Sequence, residues 1–378
     1  MILRKESNRA NGTPPFGGIG SEFYLPTNTI FKKNHKQFYK YSSNGRRSFV
    51  SSGRDALHYA IKTLGLSIKD EVLLPSYLCE EVLKPFKDKT SFVFYKVDEN
   101  LSIDLDDICS KLSERTKVIL VIHYFGFPQN LSGLKEIQER NSFIIIEDVV
   151  QAFLTECNSN MIGHCADISI SSYRKWIPVP DGALITFSDN GREIDSPLNS
   201  DISHRLYIAL RFLGLLTKYL YVKYRISNLK PFYTYFFQKS ERFLLKYSKP
   251  AKMSKITAFL LDKFNYDFII TQRRRNFKYL LYNLKNEKTI VPLFETLPEG
   301  VCPLGFPISV DDRDRLKKLL IENSVYPPIH WELPDDIDKK DFPLSWDISK
   351  HILTIPIDQR YTEEDMEYVL GLIKRKDV

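Results

Sequence analysis

The sequence predicts an α/β protein: a large domain with a mostly parallel sheet between helices, followed by a smaller C-terminal α+β domain. Two observations carry this expectation. Short, continuously apolar runs alternate with helix-patterned segments through residues 51–187, as strands buried on both faces do. Beyond about residue 250 the helical runs lengthen and the strand-like ones thin out. At 378 residues the chain is long enough to bury both cores.

The first 45 residues mix Gly, Pro and aromatics, as in PPFGGIGSEFYLP (14–26), and read as an arm that packs on something else. The large domain is expected over 46–203. SSGRDALHYAIKTLGL (51–66) opens with a turn and continues as a helix, with Leu57, Ala60, Ile61 and Leu64 on one face. EVLLPSY (71–77) is a short buried strand ended by Pro75, and SFVFYKV (91–97) is another. LDDICSKL (105–112) reads as a helix and TKVILVIHYFG (116–126) as a strand with its exit loop. LSGLKEIQERN (131–141) is a helix, and SFIIIEDVV (142–150), ADISISSYR (166–174) and GALITF (182–187) are strands.

The stretch 204–250 departs from the alternation. It is rich in Leu, Tyr and Phe, and its charges are almost all Lys or Arg, Glu241 excepted. It reads as a helical insertion packed on the main body or a second subunit; an amphipathic element lying on a membrane is the alternative. The smaller domain is expected over 251–378. FNYDFIITQRRRNFKYLLYNL (264–284) is helical, PLGFPISVDDRDRLKKLLIENSV (303–325) is strand, turn and helix, and ILTIPI (352–357) is a strand. YTEEDMEYVLGLI (361–373) closes as a helix, with Thr362 as its cap and Asp365 in the capping-box position.

The net charge of +7 suits a nucleotide, a phosphorylated ligand or an anionic surface, and equally plain solubility. The basic residues are dispersed and no recognition motif organises them, so no nucleic-acid partner is expected. Five cysteines without close pairs or metal-ligand spacing argue against a disulfide scaffold and a metal site, and fit a reducing compartment. MILRKESNRANG has no apolar run behind its basic residues and does not read as a signal peptide. No stretch approaches the roughly 20 apolar residues of a membrane span, so the cytoplasm is expected.

Each residue with a claim on chemistry follows a strand end, where parallel sheets bind ligands. Lys175 sits among Tyr173, Trp176 and Ile177; an amine so placed loses hydration, which lowers its pKa and readies it to form an imine with an aldehyde. Ser171 and Ser172 precede it and can donate to an anion nearby. A solvated loop lysine is the plain alternative. Asp148 ends an apolar strand, suited to pair with a protonated pyridine nitrogen, or merely to cap a turn. Gln151 can reach the same ligand and donate to a phenolate oxygen. Gly53 lets the amides of a helix start converge on an anion, and Arg54 adds a positive charge; an ordinary helix start fits the same residues.

From Ser51 to Phe187 the chain resembles the DegT/StrS family of pyridoxal-phosphate nucleotide-sugar aminotransferases, of fold type I. The matching pieces are SGRDAL (52–57), DEVLLPSY (70–77), TKVILVIHYFGFP (116–128), IIIEDVVQA (144–152), and the Ser-rich strand leading to Lys175 with DGAL (181–184) behind it. Weaker similarity continues through RRRNFKYLL (273–281), LGFPISVDDRD (304–314) and IHW (329–331).

The resemblance implies a Schiff base between pyridoxal phosphate and Lys175, with Asp148 on the pyridinium and Gln151 on the phenolate side. It implies a phosphate cup from the amides after Gly53, including that of Arg54, and from Ser171 or Ser172. His123, in HYFGFP, is implied near cofactor or substrate. The place where the family often stacks an aromatic on the ring falls on Cys79, so Tyr77, two residues earlier, is the stacking candidate. The usual glycine pair after the lysine is Asp181-Gly182 here. His330 and Trp331 are candidates for a sugar or carboxylate pocket, and Arg360 for a substrate contact. The implied activity is transfer of an amino group from an amino acid, glutamate by resemblance, to a nucleotide-linked keto sugar for surface polysaccharide or glycan precursors, in a homodimer. Family dehydratases carry histidine in place of the lysine, and Lys175 argues against that branch. A pyridoxal-phosphate enzyme for a non-sugar amine or keto substrate, and a non-catalytic assembly subunit, remain as alternatives.

Overall fold

The structure is a computed structural model that describes residues 13–33, 35, 38, 45–157, 160–188, 201–244 and 250–375. The first twelve residues and most of 34–44 of the expected arm, and 245–249 of the insertion, lie outside the described residues.

The chain enters the main sheet through β1 (Arg46–Val50) and turns directly into α1 (Gly53–Thr63). Then follow β2 (Glu71–Pro75), α2 (Glu80–Leu83), β3 (Ser91–Tyr95), α3 (Leu105–Lys111), β4 (Thr116–Ile122), α4 (Ser132–Glu139) and β5 (Ile144–Asp148). A two-residue pair, β6 (Glu156–Cys157) and β7 (Asn160–Met161), precedes β8 (Ile168–Ser172) and β9 (Ala183–Phe187). The seven-stranded sheet has the order β1-β9-β8-β5-β4-β2-β3. Strands β3, β2, β4, β5 and β8 are parallel, β9 runs against β8, and β1 runs against β9. Two reversals return β1 to the direction of β8, so both end on the same edge of the sheet.

Register brings the chemistry to that edge. Ser172 lies opposite Ala183, and Ala183 opposite Val50, which sets the start of α1 two strands from the end of β8. Asp148 pairs with Ile170 on one side and Ile122 on the other. The apolar strands are buried because α1 to α4 cover them, with Ala56, Leu57, Ala60 and Ile61 of α1 on the core.

The insertion forms a helical hairpin, α5 (Ile202–Tyr224) and α6 (Lys230–Leu244). The Asp201 carboxylate caps α5 by accepting from the His204 amide at 2.7 Å. Gly214 lets the helices approach: a Cβ there would lie 2.8 Å from the Phe237 ring. Then come α7 (Lys255–Leu261) and α8 (Tyr266–Leu284), and the smaller α+β layer of β10 (Ile290–Pro292), β11 (Phe306–Val310), α9 (Arg313–Glu322), α10 (Pro343–His351), β12 (Ile352–Ile355) and α11 (Glu363–Ile373). Its three strands are antiparallel in the order β10-β11-β12, over a core shared with α8, α9 and α11. At the start of α11 the Asp365 carboxylate accepts from the Thr362 amide at 2.8 Å.

The arm runs between hairpin and C-terminal layer. Gly20 donates its amide to the Tyr361 hydroxyl at 2.8 Å, and Leu25 to the Leu215 carbonyl at 3.1 Å.

Candidate active site

A cavity of about 330 Å³ lies where the sheet edge meets the C-terminal layer; Glu22, Phe23, Lys175, Arg273, His330 and Arg360 are among its walls. Lys175 stands on a single turn just past β8, closed by the Trp176 amide donating to the Tyr173 carbonyl at 2.9 Å. Tyr173, Trp176 and Ile177 are wholly buried and anchor that turn in the core. Lys175 is exposed toward the cavity, while protein packs closely around its amine. That burial depresses its amine below the ordinary lysine range, against the pull of Cys79 and Asp148 and with the push of Arg174.

Asp148 is buried at the end of β5 and accepts from the Val150 amide at 2.9 Å. Burial lifts its carboxyl above the usual range, while Lys175 and His123 pull it back. Cys79 couples to the same two groups, and burial pushes its thiol up. Lys175, Asp148 and Cys79 therefore form one electrostatic cluster. Gln151 follows three residues after Asp148: its Oε1 accepts from the Phe125 amide at 2.8 Å, and its buried Nε2 has no hydrogen-bond partner among the described residues. A buried amide donor without an acceptor is costly, so a ligand atom is the natural partner.

A Cβ on Gly53 would come within 3.2 Å of Val150 Cγ2 and 3.9 Å of Ser172 Cβ. The glycine keeps that space open where the helix start, the turn after Asp148 and the end of β8 converge. Ser52 caps α1 by accepting from the Asp55 amide at 3.1 Å, and the amides of Gly53 and Arg54 lie at the exposed positive end of the helix dipole. Strand alternation sends Ser171 and Ser172 to opposite faces. Ser172 joins Gly53; Ser171 is buried beside the Tyr173 phenol. The Arg54 guanidinium is engaged elsewhere, with Glu81 at 2.9 Å and the Leu244 carbonyl at 3.0 Å.

The remaining candidates divide. The Tyr77 ring is buried against Tyr124 and Trp331, and its hydroxyl donates to the His330 carbonyl and accepts from the Trp331 amide at 3.0 Å. Tyr77 thus braces the His330 loop, while Cys79 is the residue electrostatically coupled to Lys175. His123 is buried with both ring nitrogens used, Nδ1 accepting from the Gln129 amide at 2.9 Å and Nε2 facing Glu147 at 3.1 Å. It lies behind Asp148 and does not line the cavity. Trp331 packs on the large core. His330 does line the cavity, bonded through Nδ1 to the Thr354 hydroxyl at 2.9 Å. Burial, helped by the charge on Lys175, pushes its imidazole down to about 3, so it is neutral near pH 7.

Arg360 is also in the cavity wall, but its donors are taken. It forms a fork with Asp358 at 2.8 Å and donates to the Ser21 and Glu22 carbonyls at 2.8 and 2.9 Å. From the other side Lys218 of α5 donates to Ser21 Oγ at 2.7 Å and to the Glu22 carbonyl, and Arg211 reaches the Glu22 carboxylate at 2.7 Å. Burial alone lifts the Glu22 carboxyl, but Arg211, Arg174 and Lys218 outweigh it and hold it below the usual range. Residues 21–22 are thus a clamped roof.

Sequence reasoning missed Glu22, Lys218, Arg174, Asp358 and Arg273. Arg273 left a signal: it falls on the buried stripe of α8 between Ile269 and Phe277, where a charge needs partners. It finds them in Gln359 Oε1 at 3.0 Å, the Leu304 carbonyl at 2.8 Å and the face of Trp176. Glu22 and Lys218 left none, because each is defined by a contact nearly two hundred residues away.

The chain is similar in fold to the aminotransferase TlmJ from Streptoalloteichus hindustanus, at 18% identity and a TM-score of 0.67, covering 95% of this chain and 92% of that one. A Streptococcus pneumoniae protein solved in its PLP-form gives a TM-score of 0.66 at 13% identity, over 93% and 92% of the two chains. In sequence it is 24% identical over 341 residues to the dTDP-3-amino-3,6-dideoxy-alpha-D-galactopyranose transaminase of Aneurinibacillus thermoaerophilus, covering 86% of this chain and 84% of that one. The match to the GDP-perosamine synthase of Escherichia coli O157:H7, 27% identical over 166 residues, spans only 43% of each chain. The architecture is that of fold type I. With the profile of the DegT/DnrJ/EryC1/StrS aminotransferase family matching residues 29–374, from the arm to the last helix, the chain belongs to that family.

Proposed function

We propose that the protein is a pyridoxal-phosphate-dependent aminotransferase that moves an amino group from an amino acid donor, glutamate, to a nucleotide-linked keto sugar, as a homodimer in the cytoplasm, for surface polysaccharide or glycan precursors. The observation that carries this reading is the coupled Lys175–Asp148 pair beside an unpartnered Gln151 amide at the strand ends. Relatives named for dTDP- and GDP-linked amino sugars support a nucleotide-sugar acceptor. The residues fit the cofactor on two counts: the Gln151 donor awaits an acceptor, and a glycine at position 53, where a Cβ would crowd Val150, leaves the first-turn amides uncovered by a side chain for a phosphate.

Pyridoxal phosphate, when bound, supplies an electron-poor ring that takes up the electron pair left on a carbon losing its proton. Lys175 would hold it covalently, and the amides of Gly53 and Arg54 with the Ser172 hydroxyl would hold its phosphate. Asp148, kept dry by its burial, would keep a proton on the ring nitrogen. Gln151 would donate its free N–H to the ring oxygen. The Lys175 Nζ, when free, would take the proton from the substrate carbon that bears the nitrogen and would deliver a proton on the far side of that nitrogen, as base and then acid. Its depressed pKa serves this role, because a neutral amine is needed at the first step. His330 contributes no charge at the cavity wall.

One observation favours a second reading. The cavity that opens beside Lys175, about 330 Å³, is at the small end for ligand sites. A small keto acid or amine fits beneath the clamped roof more readily than a nucleotide sugar. Spectral titration of the cofactor-loaded protein with glutamate, then with keto acids and nucleotide keto sugars, separates the two. Return of the starting spectrum with nucleotide keto sugars, and among keto acids only with the donor's own, supports the proposal; return with other keto acids and not with nucleotide keto sugars overturns its acceptor.

A further inference from the structure

We infer that the α5–α6 hairpin docks the protein on an anionic lipid surface. The observation is a helix with two apolar faces. On its inner face α5 buries His204, Tyr207, Arg211, Leu215 and Lys218 against the body, the arm and α6. On the opposite face Ile202, Leu206, Leu213, Leu220 and Tyr224 recur at steps of four and seven residues and are 70, 39, 46, 38 and 58% exposed. The polar outer face of an ordinary surface helix is missing here.

The stripe leads to the tip of the hairpin, where Tyr224, Ile226 and Phe232 are exposed together with Lys223, Arg225 and Lys230. Arg205 and Lys223 flank the stripe along α5 on the same side of the helix wheel. From Ile202 to Ser240 there is no Asp or Glu. Among the described residues no helix is long and apolar enough to cross a membrane. The surface is therefore suited to lie on a bilayer, with aromatic and aliphatic side chains in the headgroup boundary and cations over anionic headgroups.

Charge selects this occupant over a second copy of the chain. A twofold contact between two such faces would set cation against cation, with no acid between Ile202 and Ser240 of either copy to relieve it. An anionic bilayer supplies the missing counter-charge.

Co-sedimentation of the full chain with vesicles tests the inference, using phosphatidylcholine alone and phosphatidylcholine with an equal part of phosphatidylglycerol. Binding is expected only to the anionic vesicles and should weaken as salt rises. The triple change Lys223→Glu, Arg225→Glu and Lys230→Glu should weaken it about a hundredfold or more. The pair Leu213→Ser and Leu220→Ser should weaken it several-fold, with wild-type melting and cofactor spectrum in both variants. Three results would overturn the inference: no binding of the wild type to anionic vesicles at low salt, undiminished binding of the charge-reversed variant, or an oligomer that dissociates when Leu213 and Leu220 are replaced. The last would assign the stripe to a second copy. None of these readouts depends on the substrate, so the proposed reaction stands or falls separately.

Discussion

At the strand ends, the floor of the candidate site, Gln151 keeps a buried amide nitrogen without a partner among the described residues and Gly53 carries no side chain where Val150 and Ser172 close in, while at the roof of the cavity the charged groups around Ser21 and Glu22 are already engaged with the chain itself. The floor is assembled by strand register within one sheet. The roof is assembled from three distant pieces: the arm, α5 and the segment before α11. The contrast teaches which polar groups await a ligand. An unfilled donor beside a coupled amine and carboxylate points to a bound molecule, whereas a saturated guanidinium such as that of Arg360 points to architecture.

The comparison can be broken at either end. Lys175→Ala should cut turnover by about 10³-fold or more while the cofactor still binds through ring and phosphate contacts. Measured rates near wild type would remove Lys175 as the proton carrier. Asp148→Ala should slow exchange of the substrate α-proton by about 10²-fold; an unchanged exchange rate measured by NMR would end its role. At the roof, Arg360→Ala leaves Asp358 buried without its fork partner and should cost about 3 kcal/mol in denaturant unfolding. A loss below about 1 kcal/mol would place that pair with weak surface bridges.

The wall between them responds to acid. The His330 pKa falls from an ordinary 6.5 to about 3 in the folded protein. Between those values the unfolded chain binds more protons than the folded one, so this group's contribution to stability is present above about 6.5 and lost as pH falls toward 3. His330→Gln should flatten the acid limb of the stability–pH curve, and an identical limb would show that His330 does not titrate this way. The smallest effect is expected far from the cavity: Asp365→Ala removes the capping box of α11 and should cost about 1 kcal/mol in thermal melts.

Much of the floor was legible because it is local. Apolar runs gave β2, β4, β5, β8 and β9, and the residues of interest fall within a few positions of their ends. Strand β1 was not legible: RRSFV is short and half polar, and it becomes a strand only through pairing with β9, about 140 residues on. Tyr77 shows the same limit at the scale of one side chain. Its position invited a stacking role, yet its hydroxyl is spent on a peptide 253 residues away. Arg360 was half legible, since Asp358 two residues earlier announces a fork, but the arm carbonyls it holds leave no mark nearby. Pairwise contacts of long range, invisible to periodicity, decided the roof.

The hairpin leaves and rejoins the fold beside one short strand. The chain departs after Phe187, opposite Arg46, and returns where the Ala251 carbonyl accepts from the Ser51 amide at 2.8 Å and Lys252 bridges Val50. The Asp181 carboxylate then fastens the re-entry, accepting from the Ser254 amide at 2.8 Å and the Ser254 hydroxyl at 2.6 Å. Among the described residues between those junctions there is no strand of the main sheet, so the hairpin interrupts none of its ladders. Because Arg211 and Lys218 lie within it, replacing the segment between these two junctions would also replace the groups that hold residues 21–22 over Lys175.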